Sequence, residues 1–267
     1  MPAVLDVPAA PPAAVPEPGP AAAVCADPPD LHLPGVGPGG AGLVVPGAAL
    51  SSYAAFRAWK LSDDCPGWGK FEWIGNHPRL DVMPESLLTH GFPKADLCRV
   101  LANTVAADRR GLYFTDSTTV AAPADAGATG TGPRVLCEPD FVFLSHQTIA
   151  SGRVTLTPKR NREGDFTEIV GPPDLVLEVL SDSSVRKDTI ELPADLFALG
   201  VTEYWLADAR ADPPTLTVHT RGDTGFVPRP AGPDGFSRSE LLGAAYRLTA
   251  QTGESGLREV WAEARDA

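Results

Sequence analysis

The chain has 267 residues and a formal net charge of −12, and it contains no stretch approaching the roughly 18 apolar residues that a membrane helix needs. This acidity argues against a broad basic face for gripping phosphates, although it suits carboxylates gathered around a divalent cation. The four cysteines (Cys25, Cys65, Cys98 and Cys137) are far apart and form no CxxC pair, so they read as free thiols rather than a zinc site or disulfide framework.

Residues 1–48 are dominated by Ala, Pro, Gly and Val, with no Trp, Phe or Tyr before Tyr53. Repeated Pro removes backbone donors and blocks helices, so this stretch reads as a flexible Pro/Ala-rich arm outside any core. It is a poor export signal, because Asp6 and Glu17 replace a basic start and Pro interrupts every apolar run. Residues 49–267 then form one domain, in a chain expected to be soluble, cytoplasmic and free of membrane contact.

The spacing predicts an amphipathic helix over 51–59, then strands over 71–75 and 79–83 joined by a turn at Asn76-His77-Pro78. Apolar residues recur at helical spacing over 84–106, with a kink or late start at Pro93. Residues 111–116 suit a strand. Residues 121–133, rich in Ala, Gly and Thr, suit a mobile loop. Strand character resumes over 134–144, around Glu138-Pro139-Asp140. Residues 151–172 carry Lys159, Arg160 and Arg162 and read as an exposed basic excursion. The near-continuous apolar run over 175–180 predicts a strand covered on both faces. A helix follows and closes near Gly200, a fitting left-handed cap. Strands over 203–207 and 215–220 come next, and the tail 237–267 reads as a short strand near Tyr246-Arg247-Leu248 plus a terminal helix. Strand, helix, strand in this order argues for an α/β layer architecture.

Glu178 interrupts the apolar strand, on the face it shares with Val176 and Leu180. An ionised carboxylate there is costly unless it is paired or bound to a cation. A partner Arg explains it as well as a metal does. Asp140 opens the apolar run Phe141-Val142-Phe143, where an ordinary turn Asp is the bland alternative. Taken together, two acids on two buried strands can converge on a hard cation such as Mg²⁺ (or Mn²⁺). Glu138 is a weaker further ligand. Lys187, close to a helix start beside Ser183, Ser184 and Asp188, opposes the helix dipole, and no local reason for that placement is visible. It is the candidate cationic member, with Arg186 as a weaker alternative and a solvated surface Lys as the bland reading.

The run Pro173-Asp-Leu-Val-Leu-Glu178-Val-Leu-Ser181, then Lys187-Asp188 and Gly200-Val-Thr-Glu-Tyr-Trp-Leu-Ala-Asp208, resembles the Uma-type restriction endonuclease family of the PD-(D/E)xK nuclease superfamily. Glu138-Pro139-Asp140 resembles its acidic strand, Phe71 to Pro84 its opening hairpin, and His90 the His often found on its first helix. The resemblance spans about 71–220. It implies a restriction-endonuclease-like α/β fold, a mixed sheet flanked by helices, with a Mg²⁺-dependent site that cleaves DNA. Asp140 and Glu178 match its acidic positions, and Glu72 a further one. Leu180 departs from the pattern, since Lys commonly sits there. Many members place that Lys on the next helix, where this chain has Leu192, so the role falls to Lys187.

Three readings follow. In the first, the protein is a metal-dependent DNA endonuclease with Asp140, Glu178 and Lys187 as its catalytic set. In the second, it is a catalytically degenerate nuclease fold that acts as a binding or scaffold module. A different metal hydrolase is the third. No GxSxG elbow or P-loop is present to support a Ser nucleophile or a nucleotide site. Cutting both strands needs two active sites, which suggests a homodimer.

Overall fold

The computed structural model describes residues 5–6, 27–82, 84–125 and 132–266. A six-stranded sheet forms its centre, in the order Phe226–Pro228, Thr215–Arg221, Glu203–Asp208, Leu175–Val179, Phe141–Ser145 and Gly111–Thr115. Within it only Leu175–Val179 and Glu203–Asp208 run parallel, joined by a crossover through the helix Leu192–Leu199. The fold is therefore α/β, with mixed sheets flanked by helices, as the sequence predicts.

Side-chain alternation sorts the central strands into two cores. Val142, Leu144, Val176 and Tyr204 face one core, together with Phe71, Trp73 and Leu136 from a second, seven-stranded sheet and Leu192 and Leu196 from the crossover helix. Phe141, Phe143, Leu175, Leu177, Val179 and Trp205 face the other. There they pack on the helix Phe92–Asp108 and on the C-terminal strands through Tyr246, Leu248 and Val260. A strand buried on both faces reads as a near-continuous apolar run, which is why Leu175–Val179, broken only by Glu178, was so legible.

The opening hairpin pairs Lys70–Ile74 with His77–Asp81. Its two-residue turn is Gly75-Asn76, both at positive φ (64° and 66°), one residue earlier than expected. That is the backbone a tight hairpin of right-handed twist requires.

Several expectations are corrected. The arm contributes to the core where it is described: Leu31–Leu33 pairs with Leu43–Val45, and Leu33, Leu43 and Val45 are buried. The rest of the arm, apart from the Leu5–Asp6 strand beside His77–Asp81, lies outside the described residues, as does the 126–131 part of the predicted loop. Residues 151–172 hold a hairpin, Thr155–Pro158 with Phe166–Val170, that completes the seven-stranded sheet. Among its described residues the tail has no terminal helix; Ala244–Thr252 and Arg258–Asp266 form a long antiparallel pair. No helix among the described residues is long and apolar enough to cross a membrane.

Two helices begin with a widened turn. In Leu87–Gly91 the Phe92 N–H reaches back five residues to the Leu87 carbonyl, and in Lys187–Glu191 the Leu192 N–H does the same to the Lys187 carbonyl. Each turn is followed by a proline, Pro93 or Pro193, which has no N–H to give to a carbonyl four residues back. The extra residue accommodates that loss, and it sets His90 and Lys187 at angles a regular helix would not give them.

Candidate active site

The strands Phe141–Ser145 and Leu175–Val179 are antiparallel, with Leu177 opposite Phe141. One step further along this register Glu178 stands opposite Asp140. Opposed residues of an antiparallel pair project from the same face, so both carboxylates point toward the hairpin sheet. The Val179 N–H donates to Asp140 Oδ2 at 2.8 Å and fixes the Asp140 carboxylate across the pair. Both residues are almost wholly buried, and both line a pocket of about 150 Å³ at the strand ends.

Lys187 lines the same pocket, as do Lys70, Glu85, His90 and Asp188. The Lys187 ammonium lies 3.2 Å from Asp188 Oδ1 and 3.4 Å from Glu72 Oε2, and Glu72 Oε1 accepts the Glu138 N–H at 3.0 Å. Around Asp140, Lys70 and Lys94 place their ammonium groups 3.5 and 3.7 Å from Oδ1, and His90 Nε2 lies 3.5 Å from Oδ2. The other ring nitrogen of His90 lies 3.2 Å from Glu85. Lys94 bonds Glu85 at 2.6 Å and Asp116 at 3.0 Å.

Burial and charge push the two acids apart. Burial favours a protonated Asp140, but the hydrogen bond from His90 and the charges of Lys70, His90 and Lys94 prevail and hold it far below the usual carboxylate range. Glu178 goes the other way. Burial raises it well above its ordinary value, and the repulsion of Asp188 and Asp140 adds to this against the pull of Lys187 and Lys70. Asp188 is also raised, chiefly by burial. Burial would lower His90, yet Asp140 and Glu85 outweigh it and lift its imidazole to about 9. Lys187 is likewise lifted against burial, by Asp188, Glu178 and Glu72.

The residues present suit a divalent cation. Asp140 Oδ1, Glu178 Oε1 and both Asp188 carboxylate oxygens are buried and accept no hydrogen bond. Oxygen-only donors at the end of a sheet are what a hard cation takes. Asp140 and Glu178, at adjacent strand ends, are the pair that would hold it.

Of the residues chosen from sequence, Asp140, Glu178 and Lys187 are brought to one pocket, Glu72 stands behind Lys187, and His90 sits beside Asp140. Glu138 instead pairs with Lys60, and Arg186 turns outward to Glu191. Sequence reasoning missed Lys70, Glu85, Lys94 and Asp188. Lys70 opens a strand and Glu85 precedes a helix, where a solvated charge is the ordinary expectation. Asp188 carried a signal, because it directly follows Lys187.

A mixed α/β core with two acids at adjacent strand ends places the protein among nuclease-type folds. The family model described as "Uma2: Putative restriction endonuclease" matches residues 65–251, and the chain belongs to this family of restriction-endonuclease-like nucleases. No curated protein matches the chain. It is similar to a solved structure described as "a putative nuclease belonging to DUF820 from Anabaena variabilis ATCC 29413". Identity is 16%, covering 64% of this chain and 82% of that one, with a TM-score of 0.44.

Proposed function

We propose that the protein is a Mg²⁺- or Mn²⁺-dependent endonuclease that hydrolyses DNA phosphodiester bonds, with Asp140 and Glu178 as metal ligands and Lys187 as the cationic member. One observation carries this reading. Two buried carboxylates, Asp140 and Glu178, each keep an oxygen that accepts no hydrogen bond, and both open into the same pocket as a buried ammonium. A divalent cation held there would activate water and neutralise charge on the scissile phosphate.

The chain's own residues supply the rest. The Val179 N–H keeps Asp140 aimed at the pocket. Lys187, anchored by Glu72 and Asp188, keeps its proton and stabilises charge that develops on the phosphate. Burial strengthens each of these interactions by excluding water. Two sites are needed to cut both strands, so a homodimer is the expected working form.

The second reading, a catalytically degenerate nuclease fold that serves as a binding module, is favoured by Leu180 and Leu192. Both are buried apolar residues at positions where a catalytic Lys is expected, so the cationic role falls to a Lys elsewhere in the pocket.

Plasmid and single-stranded DNA are incubated with Mg²⁺ or Mn²⁺ and with wild type, Asp140→Ala or Glu178→Ala. Cleavage by wild type alone supports the nuclease. Equal cleavage by all three rejects the site, and metal binding without cleavage favours the binding module.

A further inference from the structure

The strand Gly111–Thr115 ends the central sheet, with Phe141–Ser145 on one side and no strand on the other among the described residues. Its neighbours fix the direction of its backbone groups. The Phe143 carbonyl accepts the Asp174 N–H at 3.1 Å, on the side away from this strand, and the Arg110 carbonyl accepts the His146 N–H at 3.0 Å, on the side toward Phe141–Ser145. Backbone groups alternate in direction along a strand, and Tyr113 stands opposite Phe143. The N–H and C=O groups of Gly111, Tyr113 and Thr115 therefore point out of the sheet's edge. Leu112 and Tyr113, on opposite faces of that edge, are each 42% exposed.

Such an edge is a template for another strand, and proteins ordinarily blunt it. The other sheet edges among the described residues are short or blocked. Leu5–Asp6, Phe226–Pro228, Ser237–Ser239 and the paired Leu31–Leu33 and Leu43–Val45 have two or three residues each. Thr155–Pro158 ends on a proline at a shift of register. Along Arg258–Asp266 the Asp96 carboxylate takes the Ala262 N–H at 2.8 Å. Gly111–Thr115 has five residues and no charge, proline or bulge.

Charge indicates what covers it. Arg109 and Arg110 precede the strand, and Asp116 follows it. Against a second copy laid antiparallel with Tyr113 opposite Tyr113, Gly111 falls opposite Thr115 and Arg110 opposite Asp116, once at each end. A parallel copy in register would set like charges side by side. Arg110 is held at the edge by bonds to the Leu241 and Leu242 carbonyls, and the Asp116 side chain is 54% exposed. The strand is thus complementary to itself in one orientation.

We propose that two copies of this chain pair antiparallel along Gly111–Thr115, with Tyr113 on the two-fold axis, and join their central sheets into one. Tyr113 exchanges both backbone bonds with its counterpart, and Gly111 bonds Thr115 of the other copy. The proposal does not rest on the nuclease reading. Thr115 lies opposite Phe141, at the pocket end of the sheet, so the axis sends the two pockets to opposite ends of the joined sheet. This pairing is therefore separate from any assembly that brings two pockets to one duplex.

The test measures the mass of the full-length protein by sedimentation equilibrium and follows folding by circular dichroism. Wild type is expected to be a dimer. Tyr113→Pro is expected to be a folded monomer, because it removes an N–H that serves no bond inside the sheet. Leu112→Lys is expected to raise the dissociation constant at least about tenfold. Cysteine cross-linking tests the register under mild oxidation, with wild type as the control. In the proposed pair the two Tyr113 Cα atoms are about 5.5 Å apart, within disulfide reach, and the two Leu112 Cα atoms roughly 8 Å apart, beyond it. Tyr113→Cys is expected to form a covalent dimer and Leu112→Cys is not. A monomeric wild type leaves the edge to a strand of another protein and overturns the proposal. So does a dimer unchanged by Tyr113→Pro, an open-ended polymer, or cross-linking of Leu112→Cys as readily as of Tyr113→Cys. The cysteine pair decides the register even if Tyr113→Pro fails to fold.

Discussion

Lys187 Nζ lies 3.4 Å from Glu72 Oε2, joining the first turn of the crossover helix to the middle of a hairpin strand 115 residues away in the chain. Both residues are buried, so the pair ties the pocket's two walls together at a place where water cannot compensate a lost partner. Replacing Lys187 by Met strands Glu72 and Asp188. The expected loss is about 3–5 kcal/mol in urea denaturation at pH 7 without metal. Adding Glu72→Gln removes one stranded charge and should recover part of this. Costs that simply add to within about 0.5 kcal/mol would show that the two residues do not interact.

Glu178 gives the fold a pH dependence of definite sign. Burial raises its carboxyl well above the ordinary value, so the native state keeps a proton that the unfolded chain gives up near pH 4.5. Above that pH the unfolded chain binds fewer protons, and stability falls as pH rises, by about 1.4 kcal/mol for each unit of pKa difference at full effect. Glu178→Gln abolishes this contribution. The variant should gain on wild type from pH 5 to pH 8 in metal-free thermal melts, and Mg²⁺ should narrow the gap by letting wild-type Glu178 ionise. A stability difference that stays flat with pH would refute the buried, protonated Glu178.

What was legible in the sequence had a local cause. Glu178 stood out because an acid in an apolar strand has no cheap explanation, and Asp140 because an acid preceded Phe141-Val142-Phe143. Lys70, Glu85 and Lys94 have meaning only once the hairpin and the first helix are laid against the strand ends. The tail misled because Glu259, Ala262, Glu263 and Arg265 favour a helix locally, while pairing of Val260 opposite Ala250 and of Ala262 opposite Leu248 buries a strand. Residues 151–172 misled because the charged turn at Lys159, Arg160 and Arg162 obscured two short strands, where Ile169 is buried within the second and Val154 just ahead of the first.

That overlooked hairpin depends on one ion pair. Arg57 Nε donates to Glu168 Oε1 at 2.8 Å, its terminal nitrogen donates to Oε2 at 2.5 Å, and the Thr157 hydroxyl donates to the same oxygen at 2.8 Å. The Glu168 side chain is fully buried. Arg57→Ala should cost about 3–5 kcal/mol. Hydrogen exchange should then show lost protection in Thr155–Pro158 and Phe166–Val170 first. The double variant Arg57→Ala/Glu168→Gln should be milder, since no charge is left stranded. If Arg57→Ala costs less than about 1 kcal/mol, as an exposed pair would, the ion pair does not secure this edge of the sheet.

The widened turn Lys187–Glu191 is open to a direct test, because its extra residue has an exposed candidate for removal. Ile190 is 59% exposed, while Leu192 and Leu196 hold the helix to the core. Deleting Ile190 lets the turn close to ordinary helical pitch, which rotates the residues before it by about 100° about the helix axis. Lys187 and Asp188 then leave the pocket, and Leu192–Leu199 keeps its packing. Pro193 still lacks an N–H, so the shortened turn leaves one carbonyl unserved, at a cost of about 1–3 kcal/mol. The expected variant folds with a modestly lower melting temperature. It binds Mg²⁺ more weakly than wild type, and its cleavage falls at least as far as that of Lys187→Met. Wild-type metal affinity and cleavage in a folded Ile190 deletion would mean that the widened turn does not place Lys187. The cationic role would then pass to Lys70, the other ammonium lining the pocket.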